Sequence, residues 1–249
     1  MKLLVIVLCL LSERYFLQVR SHQRFRWFSL YSQVIEKQLI NLTFVSSWMK
    51  LVFFILPFII VAFFILNQVS DLLYGLIWLL FNVAILYFCI GPGNPFYPVR
   101  DTSVEEHSQD DIGTYLVQAN EQLFTVLFWY IVLGPIAVLL YRLISESRAQ
   151  PSVLEFSSRI TNLIEWLPAR MTVLLYLLVG NFQAGLRNFT SLLIGAPANN
   201  QTLLSVCGLD ALGRASSDPL TMPQAESLVE HSVIVLLVFL AFFTLVSWV

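Results

Sequence analysis

Hydrophobic residues in this chain are collected into runs that polar segments separate. The four longest runs occupy residues 48–66, 72–90, 123–141 and 233–249, and two shorter runs occupy 1–11 and 171–179. At a rise of about 1.5 Å per residue, a helix of roughly 20 apolar residues crosses a hydrocarbon layer about 30 Å thick, whereas a run of about 10 residues does not cross unaided. The pattern therefore predicts an all-α, polytopic membrane protein with four to five transmembrane helices plus interfacial amphipathic helices.

The N-terminal region (1–47) predicts membrane-associated helices rather than a complete span. No small-residue cleavage site follows the run at 1–11, so a retained short or re-entrant helix is favoured over a secretory signal. The basic stretch 14–47 is amphipathic, with Tyr31 and Val34 on its apolar stripe. Such a helix suits the membrane interface on the cytoplasmic side, and a helix that docks a partner is the alternative.

The segment 48–90 predicts a transmembrane hairpin, because a short turn without positive charge joins its two runs. The following stretch, 91–121, is the most acidic part of the chain and is predicted to be a cytoplasmic loop. Its carboxylates favour a solvated face and helix start over a divalent-cation site, since no EF-hand spacing is present. Its glycines do not form a phosphate-binding loop, since Gly-Lys-Ser/Thr is missing.

A central kinked helix and a second motif helix are predicted within 122–181. Gly134-Pro135 interrupts the run 123–141, and a proline there removes a backbone hydrogen bond and predicts a kink. Pro168 suits the first turn of the second helix, where its missing N–H has no partner to lose. The bridge 145–165 carries arginines that favour the cytoplasm, whereas simple alternation of spans places it outside. The side of the membrane on which this bridge lies and the number of crossings stay open.

The rest of the chain divides into a polar helical region at 182–231 and a C-terminal transmembrane helix at 232–249. A helical stripe in the polar region consists of Leu203, Leu204, Cys207 and Ala211. Thr221 and Gln224 have the spacing of a capping box and predict the start of the last helix.

Composition supports a membrane protein and excludes other classes. Hydrophobic residues make up 57% of the chain and charged residues 12%, against about 25% charged residues in soluble domains. A net charge of −2 without a basic cluster excludes nucleic acid as a partner. The spacing of the three cysteines predicts neither a disulfide framework nor a zinc site.

Several short motifs, taken in their order and spacing, resemble a known family. They are Asn120-Glu121-Gln122, Leu127-Phe128-Trp129, Gly134-Pro135, Leu140-Tyr141-Arg142, Trp166-Leu167-Pro168-Ala169-Arg170 and Gly180-Asn181-Phe182. This set resembles the AmpE family, bacterial inner-membrane proteins encoded beside the amidase AmpD and named as modulators of β-lactamase induction. AmpE is distantly similar to CbiB, also called CobD, the membrane enzyme of cobalamin synthesis that attaches an aminopropanol arm to a corrin acid.

The resemblance implies a single domain over 1–249 that is multi-pass in the bacterial inner (plasma) membrane. It implies a non-catalytic protein that modulates signalling linked to cell-wall recycling and β-lactamase induction. The implied partners are the lipid bilayer and other inner-membrane or cell-wall recycling proteins, and neither a cofactor nor a metal is implied. The alternative is a membrane-bound, CbiB-like amide-forming ligase or related transferase.

Eight polar or aromatic residues in or near these motifs are candidates for a functional site. They are Arg100, Asp101, Asn120, Glu121, Arg142, Trp166, Arg170 and Asn181. Glu121 and Arg142 are predicted to lie at opposite ends of one helix, each with a partner on another element, because charges at a membrane boundary are normally compensated. Arg170 is predicted either to snorkel to headgroups or to hold a carboxylate or an anionic ligand.

Comparison with the CbiB motifs gives mixed indications. Arg100-Asp101-Thr102 resembles an Arg-Asp-Thr motif of CbiB. In contrast, Ser145-Glu146-Ser147-Arg148 and Thr161-Asn162 stand where CbiB has aspartates. A ligase that neutralises phosphates through a metal needs its carboxylates, so these departures favour the non-catalytic interpretation.

Overall fold

The structure, a computed structural model, describes residues 2–16, 26–39, 47–69, 76–90, 109–213 and 220–246. All regular elements in this described part are helical, as the sequence predicts. The chain forms two compact units, one within Met1–Pro92 and Val126–Ile164 and the other within Gly93–Thr125 and Glu165–Val249. The single domain expected from the resemblance stays a prediction.

Two N-terminal helices, a pair of apolar helices and the middle of the chain build the first unit. Its helices are α1 (Lys2–Phe16), α2 (Arg26–Leu39), α3 (Ser47–Val69), α4 (Leu76–Cys89), α6 (Thr125–Leu133, from its second residue), α7 (Pro135–Glu146) and α8 (Leu154–Ile164). Helices α2, α3 and α7 share a core that contains Phe28, Leu51, Phe54 and Leu143, together with Val153 just before α8. Helix α7 packs against α3, α4 and α8, so it lies at the centre of this unit.

The amphipathic helix predicted in the basic N-terminal stretch is present as α2. Phe28 and Ser32 are buried, and Ser32 Oγ accepts a hydrogen bond of 2.6 Å from Gln150 Nε2. Tyr31 packs edge-on against Phe58 at 4.9 Å between ring centroids. The packed face follows the i, i+3, i+4 spacing of Phe28, Tyr31 and Ser32. Val34 of the predicted stripe is 57% exposed, which a helix in the membrane interface allows.

Gly134 breaks the central helix, so the predicted single span 123–141 is wrong. Gly134 adopts a φ of +90°, which only glycine takes readily, and Pro135 starts α7 without an N–H to continue the hydrogen-bond ladder. Pro135 therefore cannot donate to the carbonyl of Ile131, four residues earlier. Lys2 Nζ donates to that carbonyl at 2.7 Å instead. The break lies at the residues where a kink was predicted.

The central helix also begins earlier than expected. Helix α5 (Gln109–Ala119) and a π-helical turn (Asn120–Phe124) lead directly into α6. The predicted acidic loop, 91–121, is therefore wrong over 109–121. Asp110 and Asp111 lie in the first turn of α5, where carboxylates complement the positive end of the helix dipole, so they mark a helix start. Residues 91–108 lie outside the described residues.

The second unit consists of helices packed around α11. Besides α5 and the π turn, it contains α9 (Trp166–Val179), α10 (Phe182–Leu192), α11 (Asn200–Ala211) and α12 (Met222–Val246). Helix α11 packs against α5, α9 and α10, and α12 packs against α5 and α9. The stripe predicted for α11 is confirmed, since its four residues are all buried. Pro168 lies in the first turn of α9, also as predicted.

The last helix begins where its capping signal predicts. Helix α12 starts at Met222, and the backbone N–H of Thr221 donates to Gln224 Oε1 at 3.0 Å. This bond, one of the two that define a capping box, satisfies a donor that the helix start leaves without an intrahelical partner. The apolar end of α12 exposes Phe239, Phe242 and Phe243, as a lipid-facing helix does.

Three helical stretches of the described chain are long and apolar enough to cross a membrane. They are Ser47–Gln68, Gln109–Leu133 and Met222–Val246. A fourth is present if α8 and α9, which a bend at Glu165 separates, form one span. Helix α4, the second arm of the predicted hairpin, falls short of this length within the described residues. The structure supports an all-α membrane protein, and four to five crossings stay a prediction.

Cys207 allows a direct test of how tightly α11 is packed. Burial, together with a smaller effect of the nearby Asp210 carboxylate, raises the pKa of the Cys207 thiol from 9.0 to about 12. Because the thiolate is the reactive form, at pH 8 its fraction should be about a thousandfold lower in the folded than in the unfolded protein. In a Cys9→Ala, Cys89→Ala variant, maleimide labelling should be negligible until denaturant is added. Equal labelling rates before and after denaturation would contradict the packing.

Candidate functional site

The π-helical turn places a buried amide inside the second unit. Asn120 is completely buried, and its Oδ1 accepts a hydrogen bond of 2.8 Å from Thr172 Oγ1 on α9. Among the described residues, Asn120 Nδ2 and Thr125 Oγ1 have no hydrogen-bond partner. A π turn within an α-helix is uncommon and is often found at functional sites. Asn120 is therefore a polar position that the interior leaves incompletely satisfied.

Two aromatic contacts continue the packing of α9 against this part of the central helix. Tyr176 donates its hydroxyl to the carbonyl of Leu116 at 3.2 Å. Its ring meets Phe124 edge-on at 5.6 Å between centroids. Together with Thr172, Tyr176 fixes the orientation of α9 relative to α5 and the π turn.

Glu121 belongs to a cleft between α5 and α11. The cleft has a volume of about 630 Å³ and is open to solvent. Its lining contains Gln109, Asp110, Gly113, Thr114, Val117, Gln118, Glu121, Gln201, Thr202, Ser205, Val206 and Leu209. Gln201 Nε2 reaches Glu121 Oε1 at 3.5 Å across the cleft. Among the described residues, the lining carries two carboxylates with amides and hydroxyls, and no Lys, Arg or His.

Arg170 forms a buried clamp on the loop that follows α10. The residue is 5% exposed, and its Nε donates to the carbonyl of Leu193 at 2.8 Å. Its two terminal nitrogens donate to the carbonyl of Gly195 at 2.9 Å and to Asn200 Oδ1 at 2.9 Å. A further bond of 2.7 Å goes to the carbonyl of Trp166. Four hydrogen bonds within the protein therefore hold the guanidinium in place.

Trp166 supports the same loop. Its Nε1 donates to the carbonyl of Gly195 at 3.0 Å, so that this oxygen accepts from both Trp166 and Arg170. The guanidinium carbon of Arg170 lies 4.0 Å from the centroid of the Trp166 ring, a cation–π distance. The two ends of the Trp-Leu-Pro-Ala-Arg motif therefore act together on Gly195.

The remaining candidates lie elsewhere. Asn181 caps α10 by accepting the N–H of Ala184 on its Oδ1 at 3.2 Å. Arg142 belongs to the first unit, where it is buried and forms an ion pair of 2.7 Å with Glu146 on its own helix. Glu121 and Arg142 are not on one helix, since Gly134 separates them. Arg100 and Asp101 lie outside the described residues.

Thr172 and Asn200 are buried polar residues that sequence reasoning missed. Thr172 was visible as a polar residue at the start of an apolar run, and such a residue usually has a partner inside a helical bundle. Asn200 begins α11, and no motif in the sequence marks it as a buried polar residue. Among the described residues, no three His, Cys, Asp or Glu side chains come together as metal ligands.

Comparison with known proteins gives one partial match. No family profile matches the chain, and no solved structure matches it. Over 84 residues the chain is 34% identical to the cobalamin biosynthesis protein CobD of Chromobacterium violaceum. The match covers 30% of this chain and 27% of that protein, so the chain spans about a quarter of the length of the curated relative. This match supports the CbiB/CobD part of the resemblance. The chain is thus a helical membrane protein that is similar, in part, to CobD.

Proposed function

We propose that this chain is a CobD-like membrane protein, an amide-forming ligase or related transferase, whose α5–α11 cleft takes the amine-bearing substrate. The observation that carries the proposal is the 34% identity to CobD over 84 residues. The chemistry of the cleft supports it. Asp110 and Glu121 supply negative charge, and the surrounding amides and hydroxyls suit a small hydroxylated amine.

Glu121 is the side chain on which this binding should depend most. Hydrogen bonds to a charged partner contribute about 1.5–3 kcal/mol, so Glu121→Gln should weaken binding of aminopropanol to the purified protein about 10- to 100-fold. Glu155→Gln is a suitable control, because Glu155 forms an exposed ion pair with Arg159 and does not line the cleft. Calorimetric titration measures both variants. Equal affinity in the two would contradict a role for the cleft.

A second candidate is the non-catalytic AmpE-like modulator. It is favoured because this chain has other residues at positions where CbiB has aspartates. Arg148 donates to Ser145 Oγ at 2.7 Å, and Ser147 donates to the carbonyl of Leu143, so these residues finish α7. Thr161 is buried and donates to the carbonyl of Ser157. All three contacts are local hydrogen bonds between residues three or four positions apart, and none of them involves a carboxylate.

Complementation separates the two functions. Growth of a bacterium that lacks its own CobD and depends on newly made cobalamin tests the ligase, and restored growth is expected. Inducible β-lactamase in a strain that lacks AmpE tests the modulator. Restored induction without restored growth would overturn the ligase in favour of the modulator.

A further inference from the structure

The loop after α10 presents a large apolar side chain to the outside. Ile194 is 90% exposed, more than any other large hydrophobic residue in the described part of the chain. The carbonyls on either side of it, those of Leu193 and Gly195, both accept hydrogen bonds from Arg170. The buried guanidinium therefore holds the backbone on both sides of Ile194, and the exposure of this side chain is built into the fold.

Helix α10 continues this apolar surface along its length. Phe182, Leu186 and Leu193 are exposed, and at 100° per residue they fall within about 40° of one another around the helix. The neighbouring exposed strip is polar and contains Gln183, Arg187, Thr190 and Ser191. The face opposite the polar strip contains Gly185 and Phe189 and is buried in the second unit.

We propose that α10 lies in the membrane interface and contacts lipid through a surface formed by Phe182, Leu186, Leu193 and Ile194. The neighbouring chain supports lipid as the occupant. Helix α9 is apolar and ends at Val179, so α10 starts where the chain leaves an apolar segment. The order of faces around α10 is that of a helix at a membrane surface, with a buried face, an apolar strip and a polar strip.

Arg187 adds charge complementarity to this arrangement. It lies on the exposed polar strip beside the apolar one, where its guanidinium can reach lipid phosphates while the apolar side chains enter the acyl region. The Arg170 clamp contributes by fixing the loop before insertion, which lowers the entropy lost on contact with lipid. This surface is independent of the α5–α11 cleft and of the proposed reaction.

Site-directed fluorescence tests the proposal in the full chain. The three native cysteines are replaced by alanine, and an environment-sensitive fluorophore is attached to a cysteine at position 186 or 194. The matched controls carry it at 183 or 191, on the polar strip. Each purified variant is reconstituted into vesicles of phosphatidylcholine and phosphatidylglycerol and is first checked for an unchanged melting temperature.

Quenching then distinguishes lipid from water and from protein. Labels at 186 and 194 should be quenched by nitroxide-bearing lipids and should lose quenching by aqueous iodide, whereas the label at 191 should show the reverse. Iodide quenching at 186 and 194 equal to that at 191 would overturn the proposal. Protection from both quenchers would also overturn it, because it would indicate that a second copy of the chain covers the surface.

Discussion

Replacement of Arg170 by lysine should destabilise the second unit by roughly 3 kcal/mol, since buried acceptors that lose their donors cost about 1–3 kcal/mol each. The guanidinium spans the carbonyls of Leu193 and Gly195 and the side chain of Asn200 at the same time. A lysine ammonium keeps the charge but lacks the planar fork, so it cannot reach all three positions. Arg170→Ala should cost somewhat more, because it also removes the cation–π contact with Trp166.

Thermal unfolding of purified protein in detergent measures this effect. Arg159→Lys and Arg159→Ala are matched controls, because Arg159 is 76% exposed and its ion pair with Glu155 joins residues one turn apart on one helix. Such exposed pairs contribute about 0.5 kcal/mol or less. If Arg170→Lys melts at the temperature of the Arg159 controls, Arg170 does not clamp the loop. A snorkelling or ligand-binding role would then be favoured.

Gly180→Ala should be as damaging, at about 3 kcal/mol, because it would force a side chain into backbone that has no room to move. A Cβ on Gly180 would lie 2.9 Å from the carbonyl carbon of Ala211 and closer still to its oxygen. That oxygen is already fixed, since it accepts the N–H of Asn181 at 2.8 Å. The φ of Gly180 is −97°, so a positive φ is not the reason for the expected loss.

Gly113→Ala provides the contrast for this measurement. Gly113 also lies where two helices meet, but its nearest neighbour would be the Cβ of Ser205 at 3.3 Å, a contact that a small shift relieves. Alanine in place of glycine inside a helix gains about 1 kcal/mol, which offsets the crowding. Gly113→Ala should therefore melt near the temperature of the unchanged protein. Similar losses in both variants would mean that the distance to Ala211 does not decide the effect.

The candidate site was only partly predictable from the sequence. Glu121 and Asn120 were identified through their motif, yet the sequence did not show that they face different surroundings. The π turn buries Asn120 against Thr172, whereas Glu121 lines the cleft with Gln201. Thr172 lies 52 positions from Asn120, and Gln201 lies 80 positions from Glu121, so no local pattern joins them.

The sequence by itself determined the features that depend on neighbouring residues. Runs of apolar residues gave the helical class and the membrane-length segments, because hydrocarbon thickness sets the length of a span. Gly134-Pro135 gave the position of the break, and Thr221 with Gln224 gave the start of α12, because dihedral limits and capping bonds act within a few residues.

Only the tertiary structure decided which faces pack and what Arg170 does. In the longest apolar helices, α3 and α12, nearly every face is apolar, so periodicity does not identify the packed side there, whereas it did identify the buried stripe of the more polar α11. The acceptors of Arg170 include the backbone carbonyls of Leu193 and Gly195, and every residue has a carbonyl, so they leave no trace in the sequence. The role of this arginine follows from the path of a loop that begins more than 20 residues further along the chain.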